Sequence, residues 1–67
     1  MQSFKVTGMT CGHCVLAVTD AVHKVDPGAA VDVDLQAGRV TVRDGTAPAS
    51  QITDAIAVEG YAAEQAA

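Results

Sequence analysis

The stretch Ala30–Arg43, AVDVDLQAGRVTVR, decides the fold. Val31, Val33 and Leu35 fall on one side of an extended chain, and Asp32 and Asp34 on the other. That alternation has the period of two that a half-buried strand requires. The three residues QAG form a short turn, and RVTVR returns with Val40 and Val42 on the inner side. The stretch therefore predicts an antiparallel hairpin with one apolar and one wet face. An all-helical bundle is the rival architecture, and the Asp-Val-Asp alternation argues against it.

Working outward from the hairpin, the period changes on both sides. Upstream, SFKVT (3–7) alternates with Phe4 and Val6 on one face, which predicts a short strand ended by Gly8. GMTCGH (8–13) is then a loop, with Gly8 and Gly12 giving backbone freedom. From about Gly12, Val15, Val18, Val22 and Val25 share one helix face, widened by Ala17 and Ala21. Pro27 in DPG (26–28) disfavours helical geometry at Asp26 and stops this helix. Downstream of the hairpin, DGTAP (44–48) is a loop whose Pro48 suits a first helical turn. Ile52, Ala55, Ile56 and Val58 predict a second helix, with Gly60 as the residue just past its end. YAAEQ (61–65) reads as a weak last strand.

The order is β-α-β-β-α-β. Its repeating strand and helix halves predict an α/β (α+β) ferredoxin-like sandwich: a four-stranded antiparallel sheet with two helices on one face. The 67 residues are expected to form a single domain, 1–67. Such a chain has a small core, built here from Val and Ala around one Phe and one Tyr.

The formal net charge is −4, and the four basic residues, Lys5, Lys24, Arg39 and Arg43, are scattered. An acidic chain without basic–aromatic clusters is a poor fit for nucleic acid or an anionic membrane surface. No apolar run approaches the roughly 20 residues that span a bilayer, so no membrane insertion is expected. The N-terminus, MQSFKVTGM, has no secretory pattern, so the cytosol is the expected compartment. Thiols stay reduced there, and a lone cysteine pair is then catalytic or metal-binding rather than structural.

That pair lies in MTCGHC (9–14). Two cysteines with this spacing can do redox chemistry, supply half of a zinc site, or grip a soft monovalent metal. Cys11 is expected in the loop and Cys14 in the first helical turn, where their sulfurs can converge on one atom. Unpaired amides at the helix N-terminus favour a thiolate on Cys14. Thiolate serves both redox and metal roles, so three other observations separate them. A closed zinc site takes four Cys or His ligands. His23 lies nine residues beyond Cys14, roughly 13 Å along a helix, too far to join. A thioredoxin-type redox domain needs a longer chain, usually with an aromatic residue before the first cysteine, where this chain has Thr10. An exposed two-thiolate site suits a soft cation of low coordination number, above all Cu(I).

The motif GMTCGHC, with Val18 and Ala21 placed beyond it and with EGYAAE near the C-terminus, resembles the heavy-metal-associated domain family, bacterial copper chaperone type. The likeness spans essentially the whole chain. It implies a cytosolic Cu(I)-binding metallochaperone, not an enzyme, that delivers copper by thiolate ligand exchange to the metal-binding domain of a copper-transporting P-type ATPase. Cys11 and Cys14 are the implied ligands. The alternatives are such a domain excised from the ATPase, a mercury binder, or a thiol–disulfide oxidoreductase. A copper-bridged homodimer through the exposed cysteines is a further expectation.

The neighbours of the cysteines carry secondary expectations. Met9 reads better as an apolar plug beneath the loop than as a thioether ligand. Thr10 stands where zinc-exporting relatives tend to place a carboxylate, which favours Cu(I). His13 reads as a solvated loop residue, with a role in tuning the thiolates or as a third ligand to a shared metal as the alternative. Tyr61 is expected to lie beside the metal loop, shielding it or closing the core. His23 is expected to be a surface helix residue.

Overall fold

The computed structural model describes residues 1–10 and 12–66. Six elements follow in the expected order: β1 (Gln2–Thr7), α1 (Gly12–Val25), β2 (Ala30–Asp34), β3 (Arg39–Arg43), α2 (Ala49–Val58) and β4 (Ala62–Ala66). The strands form one sheet in the order β2-β3-β1-β4, with every neighbouring pair antiparallel. This is the ferredoxin-like arrangement read from the sequence. No described helix is long and apolar enough to cross a membrane.

The alternation in each strand sets which face the helices cover. Phe4 and Val6 of β1 and Val40 and Val42 of β3 are buried. The helices meet them with Val18 and Val22 of α1 and with Ile52 and Ile56 of α2, all in one apolar cluster. Burying an Ile or Phe side chain contributes about 1.5–3 kcal/mol, so these few residues carry most of the core energy. Val31 and Val33 of the edge strand β2 are only half-buried against the cluster.

The uncovered sheet face is polar and ordered by charge. Across the four strands, Asp34 stands opposite Arg39, Arg39 opposite Lys5, and Lys5 opposite Glu64. The row reads acid, base, base, acid, with the acids on both edges. Arg43 Nη2 also pairs with Asp32 Oδ2 at 2.8 Å on the same face. Charged residues on edge strands discourage pairing with a further chain.

The chain's turns lie at two ends of the sheet. One end holds the loop after β1, the β2–β3 turn and the α2–β4 turn. There Val6 N donates to Gly38 O at 2.7 Å, and Gly38 has a φ of 65° that favours glycine. The other end is tied by Asp26, 4 % exposed at the end of α1. Its Oδ2 accepts from Thr46 N at 2.8 Å and Ala47 N at 3.0 Å. Gln2 Nε2 donates to Ala47 O at 3.0 Å, adding a third tie to the same loop.

Several details differ from the sequence reading: Val25, expected on the apolar face of α1, is exposed at the end of that helix. Pro48 is the N-cap of α2 rather than its first helical residue, and Pro48 O accepts from Gln51 N at 3.1 Å. Leu35 lies in the turn, because β2 ends at Asp34. Val58, expected on the core face, is 82 % exposed. It follows Ile56 by two positions, about 200° around a helix of 3.6 residues per turn, so burial of Ile56 turns it outward.

Candidate metal centre

Gly8 ends β1 with a φ of 99°, a conformation that side chains rarely tolerate. A Cβ there would also stand 3.3 Å from Tyr61 Cδ1. The tyrosine ring therefore lies against the entrance of the loop, and the glycine makes room for it. Tyr61 is brought there by the end of α2. Gly60, with a φ of 94°, turns the chain after the helix, and Gly60 N donates to Ala57 O at 3.0 Å. The β4 register then places Ala62 opposite Thr7. Tyr61 is half-buried and packed on the core, with its ring beside Gly8.

Met9 is also half-buried against the core cluster. Thr10, Gly12 and His13 are exposed. Gly12 opens α1, and Cys14 is its third residue, half-buried in the first turn. Cys11, the other expected ligand, lies outside the described residues.

His23 sits at the opposite end of α1, exposed, with Nε2 3.0 Å from Ala29 O. It is a helix-end residue bound to the α1–β2 loop, far from Cys14. Among the described residues, no three His, Cys, Asp or Glu side chains come together as a metal cluster. A closed four-ligand site that included Cys11 would need three such partners.

The sequence reading took Asp26 only as the residue that Pro27 keeps from helical geometry, and missed its role as a clamp. Its amide partners lie 20 and 21 residues further along the chain. A Cβ on Gly45 would run into the Asp26 carboxylate, so this glycine belongs to the clamp as well. An acid directly after an apolar helix face was the one available signal.

The chain matches the heavy-metal-associated domain model over residues 3–62. It is 43% identical over 62 residues to the copper chaperone CopZ of Staphylococcus aureus, covering 90% of this chain and 91% of that one. The solved structure of the copper chaperone Atx1 from Synechocystis PCC6803 superposes with a TM-score of 0.85 at 35% identity, over 92% of this chain and 97% of that one. A copper-binding domain from a P-type ATPase superposes with a TM-score of 0.86 at 30% identity, over 100% of this chain and 96% of that one. With the family model and a 43% identical relative each matching nearly its whole length, the chain belongs to the heavy-metal-associated domain family.

Proposed function

We propose that the chain is a cytoplasmic, single-domain Cu(I) metallochaperone. It is not an enzyme. Cys11 and Cys14 hold the ion as two thiolates, and the cargo passes to the metal-binding domain of a copper-transporting P-type ATPase. The observation that carries this reading is the exposed loop end with Cys14 in the first turn of α1, in a chain 43% identical to a copper chaperone. Exposure of Thr10, Gly12 and His13 leaves room for an incoming thiolate. That sulfur adds to the ion, a three-coordinate intermediate forms, and one original sulfur leaves. Two-thiolate binding combines strong soft-metal bonds with rapid exchange, because no rigid cage must open. A metal-binding domain of an ATPase would use the same chemistry, and the likeness to such a domain keeps that second reading in view.

Anaerobic titration with Cu(I) and Zn(II) against competing chelators tests the proposal. One tightly held Cu(I) is expected, with a clear preference over Zn(II). Cys11→Ser and Cys14→Ser should each abolish tight binding. Retained affinity in both variants, or a preference for Zn(II), overturns the reading.

A further inference from the structure

The loop between β3 and α2 joins two unusual residues. Asp44 is exposed and has a φ of 58°, in the left-handed region. Side chains are uncommon there, although aspartate tolerates it better than most. Gly45 follows, and the Asp26 carboxylate fills the space where a Cβ would stand. The clamp therefore demands glycine at 45, and with it an Asp-Gly bond. Asp26 grips the two amides beyond that bond, Thr46 N and Ala47 N, and not that of Gly45.

An Asp-Gly bond is open to a reaction that bulkier neighbours hinder. The glycine nitrogen attacks Cγ of the aspartate and a C–N bond forms. The carboxyl hydroxyl leaves with the amide proton as water, which closes a succinimide ring. Water then reopens the ring. Breaking the C–N bond at Cγ restores aspartate. Breaking it at the α-carbonyl leaves the main chain running through Cβ and Cγ, an isoaspartyl linkage with a free α-carboxylate. Water is lost and regained, so the net change is an isomerisation that needs no co-reactant.

The other aspartates are guarded by their neighbours. Asp26 precedes Pro27, which has no N–H. Asp20 and Asp54 lie inside helices, where the following amides are held in the helical ladder. Asp32 and Asp34 precede Val33 and Leu35, whose branched side chains crowd the nitrogen.

We propose that Asp44 is a site of spontaneous isoaspartate formation, and that its conversion releases the Asp26 clamp. The new linkage adds a main-chain carbon just before the gripped amides. It also escapes the restriction that a positive φ places on an ordinary side chain. Thr46 N and Ala47 N, held at 2.8 and 3.0 Å, are then displaced from the carboxylate. The freed α-carboxylate is a substrate for a carboxyl methyltransferase of the isoaspartate-repairing class. This modification is independent of the copper chemistry at the other end of the sheet.

The test ages the full chain at neutral pH and physiological temperature. An isoaspartyl methyltransferase with a labelled methyl donor measures the product, and electron-transfer fragmentation locates it. Asp44 should carry more label than all other positions together. Asp44→Glu, which would need a larger and slower-forming ring, should lose that label. The isoaspartyl form, separated by ion exchange, should melt about 5–10 °C below the parent. Repair by the methyltransferase should restore the parent melt. In Asp26→Ala, which has no clamp to release, ageing should leave Tm unmoved. Label spread evenly over the aspartates, or found only in chain kept unfolded in urea, overturns the proposed site. An equal fall of Tm in Asp26→Ala overturns its link to the clamp.

Discussion

The two ends of the sheet are built by opposite means. At the end away from the cysteines, a buried carboxylate gathers two amides, Gln2 adds a third hydrogen bond, and Gly45 is held close under Asp26. At the cysteine end, Gly8 turns the chain, Met9 and Tyr61 pack inward, and the intervening Thr10, Gly12 and His13 face solvent. The first end is fixed by polar contacts that leave little room for change. The second is anchored at its apolar feet and left open between them. The difference teaches how a small core can be held while Thr10, Gly12 and His13 stay exposed: the polar ties are concentrated at the opposite end from the proposed ligand loop.

This contrast makes separable predictions. The largest effect on stability is expected from Asp26→Ala. It leaves the Thr46 and Ala47 amides without their acceptor, at about 1–3 kcal/mol for each buried donor, or about 3 kcal/mol together. In a domain of this size that lowers Tm by roughly 15 °C in a thermal melt. Cu(I) affinity should not change, and a parallel loss of affinity would show that the two ends are coupled. Gly45→Ala pushes a methyl into the same carboxylate and should cost about 2 kcal/mol, as overpacking does. Gly8→Ala is next, at about 1–2 kcal/mol for a side chain at positive φ. Unlike the far-end variants it should also move the Tyr61 ring resonances, because the new methyl meets that ring.

Met9→Ala distinguishes a plug from a ligand. A plug loses about 1 kcal/mol of half-buried side chain and keeps Cu(I) affinity. A ligand would show the reverse, with affinity falling and the melt unmoved. The smallest effect is expected from His13→Ala, an exposed residue whose removal should change neither the melt nor chelator-measured affinity. A drop in affinity there would move His13 into the metal site.

How legible this was in the sequence depended on the range of each interaction. The hairpin was readable because its signal, Asp32-Val33-Asp34, is local and periodic. The first helix was readable from Val18 and Val22 for the same reason. The cysteine motif was readable because its residues fall within six positions and their types restrict the chemistry. The Asp26 clamp was not, since a polar contact between residues 20 positions apart leaves no periodic trace. Val58 was misread because the apolar spacing near a helix end does not say which way the last residue turns.

The acid–base–base–acid row across the sheet bears on how the strands find their alignment. The last strand, Ala62–Ala66 with the sequence AAEQA, has almost no apolar pattern with which to choose a register against β1. Lys5 and Arg39 stand opposite each other as like charges, a pairing that is unfavourable by itself. Slipping β4 by two residues would place Ala62 or Ala66 opposite Lys5 and remove Glu64 from the row. The repulsion would then lack its counter-charge on that side. A single glutamate thus selects one alignment for a strand whose alanines would accept several.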